Sequence, residues 1–165
     1  MGHLRRVGRR TGVIDVSVEI PLPAEVVWDF LADIQDAEPI PRRAVLRMVK
    51  EPPGPTVAGT RWHEAVRFVP GLWLHVESVV TQASRPSLLA MTFHSRWWSG
   101  DLRYEITDRS GGCLLRHRET VLPHLLLRPL TGWIEHRLRS RVLERLRDIH
   151  DVLLASCRED RAAPS

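Results

Sequence analysis

The sequence predicts an α+β fold in which a seven-stranded antiparallel sheet wraps around one long C-terminal helix. The helix is predicted from an apolar stripe that repeats every three or four residues, the period of one helix face: Ile134, Leu138, Val142, Leu146, Ile149 and Leu153. The sheet is predicted from seven upstream segments, most of which alternate apolar and polar residues, joined by short turns. A helix laid across a curved sheet can leave room between them, and this room is the clearest indication of function in the chain.

The first elements follow from periodicity and from proline. Residues 13–20 are predicted to form a strand because their apolar side chains fall at alternate positions. Residues 24–34 are predicted to form a helix, with Pro23 next to its first turn. Pro39 and Pro41 end a short second helical turn, since proline cannot continue a helix.

Six further strands are predicted at intervals of roughly ten residues, which favours an antiparallel meander. They are residues 44–51, 59–68, 72–81, 88–94, 102–107 and 113–122. Turn-forming pairs such as Pro70-Gly71 and Gly111-Gly112 separate them. Pro129 sets the predicted start of the long helix, because proline is tolerated best in a first turn.

Arginines identify the outer face of two strands, and so the side chains that should face the helix. Arg61 and Arg67 mark one face of the third strand as solvent-exposed. The inner face then carries Trp62, Glu64, Val66 and Phe68. Arg116 and Arg118 mark the outer face of the seventh strand in the same way. Its inner face then carries Cys113, Leu115, His117, Glu119 and Val121.

Composition and charge exclude several classes of protein. The hydrophobic fraction is 43% and the charged fraction 27%, which is ordinary for a globular domain, and no apolar run is long enough to span a membrane. The net charge of +4 comes from Arg5, Arg6, Arg9 and Arg10, since the rest of the chain has 20 basic and 20 acidic residues. A nucleic-acid-binding protein would carry a basic face on the fold itself, so no nucleic-acid partner is expected.

We expect one folded domain with two unstructured ends. Residues 1–12 are predicted to be a disordered basic leader, residues 13–157 a single domain, and residues 158–165 a disordered tail. The two cysteines have neither disulfide nor metal-ligand spacing and the eight histidines are scattered, so no metal is expected and a reducing cytoplasm is the simplest setting. Trp28 and Trp133 are expected to be packing residues.

A family resemblance rests on the order of the elements and on two sequence motifs. The motifs run from Pro21 to Trp28, at the first strand-to-helix join, and from Gly59 to Glu64 in the third strand. Over about residues 13–156 the chain resembles the START-like superfamily, also called SRPBCC or helix-grip, which includes polyketide cyclases/dehydratases and lipid-transport domains. The resemblance implies a sheet that wraps the C-terminal helix and encloses a pocket for a hydrophobic ligand, with no cofactor and no shared catalytic residue.

Three inward polar residues are candidates for catalysis. Glu64 should face apolar neighbours, which raises the pKa of a carboxyl and lets it exchange protons near neutral pH, unless an arginine or water pairs with it. His117 shares its face with Glu119, so the carboxylate could hold the imidazole as a base. Tyr104, the single tyrosine of the chain, could donate a hydrogen bond to an enolate oxygen or could be an ordinary core residue.

The predicted ligand-binding residues are mainly apolar and aromatic side chains of the inner face. They are Trp62, Val66, Phe68, Val76, Met91, Phe93, Trp98, Glu119, Ile134 and Leu138. The fourth and fifth strands carry apolar residues on both faces, so their inner face stays open at this point. The leucine-rich connection at 122–127 is predicted to plug one end of the sheet, to cover the pocket as a flap, or to touch a membrane or partner.

Three functions are compatible with the sequence. The first is binding of a small hydrophobic molecule of polyketide-like, aromatic or lipid type. The second is a cofactor-independent polyketide cyclase/aromatase or dehydratase that uses Glu64, His117 and Tyr104 to move protons. The third is a protein-interaction module with a vestigial cavity. Apart from the ligand, we expect at most peripheral membrane contact, and a monomer or a homodimer.

Overall fold

The computed structural model describes residues 11–33, 45–69 and 71–162, without the side chains of residues 45–47, 67–69 and 156–162. The strands are β1 (Gly12–Ile20), β2 (Val45–Glu51), β3 (Arg61–Val69), β4 (Leu72–Ser84), β5 (Leu88–Ser95), β6 (Trp98–Arg109) and β7 (Gly112–Pro123). The helices are α1 (Ala24–Ala32), a 3-10 helix η1 (Leu125–Leu130) and α2 (Thr131–Ala162). The predicted fold class is confirmed. The second helical turn predicted before Pro39 lies outside the described residues.

The seven strands form one antiparallel sheet in the order β1-β7-β6-β5-β4-β3-β2. Strands β2 to β7 pair with their sequence neighbours, while β1 pairs with the last strand, with Ile14 opposite Glu119 and Ile20 opposite Cys113. Alternating strand directions place the start of β1, the β3–β4 turn, the β5–β6 turn and the end of β7 at the same end of the sheet. We call this the η1 end, because η1 follows β7 there.

Helix α2 forms the second layer of the molecule. It packs most closely against β1 and also contacts β7. Its buried face carries Ile134, Val142, Leu146, Ile149 and Leu153. Most of these side chains join the inner face of the sheet in one apolar core, as the hydrophobic effect favours. Helix α2 begins at Thr131 because the preceding residues form the tighter η1 turn, and it extends to Ala162, past the expected domain boundary at residue 157.

The two tryptophans expected to pack have different surroundings. Trp28 is buried in α1, whereas 53% of Trp133 is exposed. Trp133 precedes the buried Ile134 by one residue, and consecutive helix positions point roughly 100° apart. Since Ile134 faces the sheet, Trp133 is turned partly towards solvent and lies outside the core, and its expected role as a packing residue stays a prediction.

Strand β6 begins at Trp98, earlier than the start at residue 102 that the sequence predicts. The Ser95 hydroxyl donates a hydrogen bond to the Trp98 carbonyl oxygen at 2.8 Å and accepts one from the Trp98 amide at 3.1 Å. These bonds close the β5–β6 turn, so Trp98 enters the sheet opposite Pro123. A Cβ atom at Gly100 would overlap the carbonyl oxygen of Thr120, so glycine permits the close approach of β6 to β7.

Candidate functional site: a buried polar cluster

A cluster of polar side chains lies on the inner face of the sheet, where α2 covers it. Its members are Glu64 in β3, Tyr104 in β6, His117 and Glu119 in β7, and Arg145 in α2. The strand register places Tyr104 directly opposite His117, and the Glu64 carboxyl is within electrostatic range of Glu119 and Arg145. In a flat sheet β3 and β7 would lie about 19 Å apart. The sheet is therefore strongly curved, and its curvature assembles the cluster.

The His117 side chain is held from two sides. Only 3% of the residue is exposed, and its Nε2 lies 3.2 Å from Oε2 of Glu119. The Tyr104 ring meets the imidazole edge-on, with ring centroids 5.1 Å apart and planes at 76°. A carboxylate has only acceptor atoms, so an ionised Glu119 takes a hydrogen bond from Nε2–H. The neutral imidazole is then left with Nδ1 as an acceptor.

Two buried ring nitrogens on the inner face have no hydrogen-bond partner within the described part of the chain. They are Nδ1 of His117 and Nε1 of Trp62, a residue that is 4% exposed. Buried polar atoms are nearly always hydrogen-bonded, and leaving one without a partner costs about 1–3 kcal/mol. One nitrogen is an acceptor and the other a donor, so oxygen groups of a bound molecule are suitable partners for both.

Burial changes the acid–base chemistry of two members of the cluster. Desolvation raises the pKa of Glu64; Arg145 offsets part of this rise and Glu119 adds to it. Desolvation also raises the pKa of Tyr104, so its phenol stays protonated and available as a hydrogen-bond donor. A carboxyl with a raised pKa can exchange a proton closer to neutral pH than an ordinary glutamate can.

Arg145 is a member of the cluster that the sequence analysis did not identify. Tyr104 contributes most to holding the pKa of its guanidinium above the ordinary value, and burial opposes that rise. Its position in the sequence carried a signal, because it follows Val142 by three residues and precedes Ile149 by four. That spacing places Arg145 beside the buried stripe of α2 rather than on its opposite face.

The structure places most of the predicted lining residues inside the molecule. Trp62, Met91, Phe93, Trp98 and Ile134 are buried, and Val66, Val76, Glu119 and Leu138 are half-buried. The side chain of Phe68 lies outside the described residues. The inner face of β5, which the sequence left open, carries Met91 and Phe93, since Thr92 and His94 are exposed. Contact of these residues with a ligand remains a prediction.

A narrow surface cleft without room for a water molecule lies at the η1 end, between β1, β7 and the first turn of α2. It is lined by Gly12, Ile14, Val121, Pro123, Thr131, Ile134 and Glu135. Of the predicted lining residues this cleft contains Ile134 alone, and it is too small to hold a ligand. We therefore place the candidate site at the buried polar cluster.

Comparison with protein families identifies the class of this chain. The profile of the family described as polyketide cyclase / dehydrase and lipid transport matches residues 11–153. The chain therefore belongs to this family, within the START-like superfamily that its sequence resembles. A comparison with curated proteins found no match.

Solved structures with the same fold include members of several groups. Ara h 8.0201 superposes with a TM-score of 0.70 at 12% identity, over 88% of this chain and 99% of the other. The Zhui aromatase/cyclase from Streptomyces sp. R1128 superposes with a TM-score of 0.69 at 13% identity, over 93% of this chain and 97% of the other. The di-domain ARO/CYC StfQ from the steffimycin biosynthetic pathway superposes with a TM-score of 0.72 at 16% identity, over 92% of this chain and 52% of the other. At these identities the likeness shows the fold alone.

Within residues 11–33, 45–69 and 71–162, no group of three or more His, Cys, Asp or Glu side chains is arranged to hold a metal ion. Over the same residues, no helix combines the length and the apolar character that crossing a bilayer requires.

Proposed function

We propose that this chain binds a small, mainly hydrophobic molecule with oxygen groups, between the inner face of the sheet and α2. The observation that carries the proposal is the pair of buried nitrogens, on His117 and Trp62, that lack a partner within the described residues. Apolar and aromatic side chains surround them and would supply most of the binding, while the few polar groups would set the orientation. The proteins described as aromatase/cyclases with this fold support a polyketide-like or aromatic ligand.

A second candidate function is cofactor-independent cyclisation and dehydration of such a ligand. It is favoured by the imidazole of His117 held against Glu119 and by Glu64, whose pKa is raised by burial. Nδ1 of His117 would take a proton from the carbon beside a ligand carbonyl, and Tyr104 would donate a hydrogen bond to the resulting enolate oxygen. The enolate carbon would attack a second carbonyl, and the alkoxide formed would recover the proton from His117. His117 would then take the remaining proton from the same carbon while protonated Glu64 gives its proton to the departing hydroxyl, so that a carbon–carbon double bond forms, water leaves, and the proton now on His117 replaces the one that Glu64 has lost.

The binding proposal can be tested with two probes that differ by one hydroxyl, 2-naphthol and naphthalene. The hydroxyl can donate a hydrogen bond to Nδ1 of His117, and such a bond contributes about 1–1.5 kcal/mol, so 2-naphthol should bind about tenfold more tightly. His117→Phe should remove most of this preference and retain binding of naphthalene. Titrations followed by tryptophan fluorescence measure both affinities.

The matched control is His94→Phe, since His94 is an exposed histidine on the outer face of β5. This variant should keep the full preference for 2-naphthol. Binding of neither probe would contradict the proposal, and so would an unchanged preference in His117→Phe.

A further inference from the structure

The η1–α2 segment exposes four large apolar side chains to water. Leu126 is 91% exposed, Leu130 49% and Trp133 53%, and neighbouring Leu125 is 71% exposed. Leu125, Leu126 and Leu130 belong to η1, and Trp133 lies in the first turn of α2. The next residue, Ile134, is buried instead. We call these four exposed residues the leucine-tryptophan patch.

Exposed apolar residues of another element lie at the same end of the sheet. Leu72 and Trp73 begin β4, and both are exposed. The β3–β4 turn lies at the same end of the sheet as the end of β7, which is the η1 end. Large exposed apolar residues from two separate elements therefore lie at one end of the sheet, and clusters of exposed apolar residues often mark a site of interaction.

Exposed arginines accompany the apolar residues at the η1 end. Exposed Arg96 lies in the β5–β6 turn, and exposed Arg137 follows Trp133 by one helical turn, on the same side of α2. Between residues 124 and 139 Glu135 is the single acid, against three arginines.

We propose that the η1 end docks peripherally on an anionic membrane surface, with the leucine-tryptophan patch inserted at the lipid interface. Leucines insert among the acyl chains, tryptophan favours the boundary between lipid and water, and arginines interact with anionic headgroups. Leu125 and Leu126 are among the most exposed apolar side chains of the described residues. A bilayer accepts projecting side chains, whereas a protein partner would need a matching hollow. This inference goes beyond the proposed ligand binding and does not depend on it.

The test is sedimentation of the full chain with vesicles of POPC alone and of POPC mixed with POPG. The chain should bind the POPG-containing vesicles more tightly, and added salt should weaken that binding. Leu126→Ser should lower the affinity about tenfold, because it removes most of one inserted side chain. Arg137→Gln should lower affinity for the POPG vesicles roughly fivefold and leave binding to POPC unchanged.

Val57→Ser is the matched control, since Val57 is 55% exposed and lies between β2 and β3, at the opposite end of the sheet. It should bind vesicles as the unmodified chain does. The proposal is overturned if neither vesicle type binds the chain, or if Val57→Ser weakens binding as much as Leu126→Ser. It is also overturned if Leu126→Ser abolishes a dimer in sedimentation velocity and leaves vesicle binding intact.

Discussion

The candidate site consists of polar side chains that occupy an otherwise apolar interior. The inward position of Glu64 and His117 could be predicted, because arginines at alternate positions of the same strands require the opposite face to be buried. Arg145 was missed because the stripe of α2 was identified from apolar residues, and an arginine at its edge resembles a solvated residue. The hydrogen bond between His117 and Glu119 could be anticipated because both residues lie on the same face of β7. The absence of a hydrogen-bond partner for Nδ1 of His117 is visible only in the structure.

At the residue scale, burial of the Glu64 carboxyl predicts a pH-dependent stability difference. Because burial raises the folded-state pKa, ionisation destabilises the fold as the pH rises from the unfolded value towards the folded one. Glu64→Gln cannot ionise. It should therefore be more stable than the unmodified chain at pH 8, and this gap should shrink towards pH 5. The gap is about 1.4 kcal/mol for each unit by which the pKa is raised.

Urea unfolding of both proteins across this pH range measures the Glu64 effect. Glu77→Gln is the control, because Glu77 is exposed on the outer side of β4. Its stability relative to the unmodified chain should vary little over the same range. A stability gap for Glu64→Gln that is constant with pH, or reversed in sign at pH 8, would show that the carboxyl is not desolvated.

At the scale of elements, the strands and the meander from β2 to β7 could be predicted because proline, glycine and polar turns separate the alternating segments. The pairing of β1 with β7 was not predicted, because local periodicity does not show which strands meet. The start of β6 could not be predicted, because the hydrogen bonds between Ser95 and Trp98 extend that strand to Trp98. The strand propensity of the local sequence gives no sign of these bonds.

The exposure of Trp133 could not be predicted for a related reason. Tryptophan is usually buried, but the buried residues Ile134, Val142 and Leu146 determine which face of α2 packs against the sheet. The close approach of β6 to β7 at Gly100 was not predicted either, since it depends on the backbone of the neighbouring strand.

Gly100→Ala tests that close approach. The added Cβ would overlap the carbonyl oxygen of Thr120 and press on the ring of Phe93, and overpacking of this kind costs about 1–3 kcal/mol. The free energy of unfolding in urea should fall by this amount. Gly12→Ala is the control, since a Cβ there meets Glu135 at an ordinary contact distance of 3.5 Å. Equal stabilities of the two variants would mean that the sheet is not constrained at Gly100.

At the scale of the molecule, the fold class follows from sequence because one amphipathic helix has a single apolar sheet against which to pack. Ligand identity does not follow, since it depends on the positions of a few polar atoms inside that core. Strands far apart in the sheet supply these atoms, and only the curved structure brings Glu64 towards Glu119. Architecture alone leaves the chemistry open, because one fold can carry many different sites.

Nitrogen-15 NMR of the His117 ring, in the free protein and with 2-naphthol, tests the central claim most directly. The hydrogen bond to Glu119 predicts that Nε2 carries the hydrogen in the free protein and that Nδ1 is the bare nitrogen. The Nδ1 resonance should move when 2-naphthol binds and should respond much less to naphthalene. A hydrogen on Nδ1 in the free protein, or an Nδ1 resonance that 2-naphthol leaves unchanged, would contradict the assignment of this cluster as a ligand site.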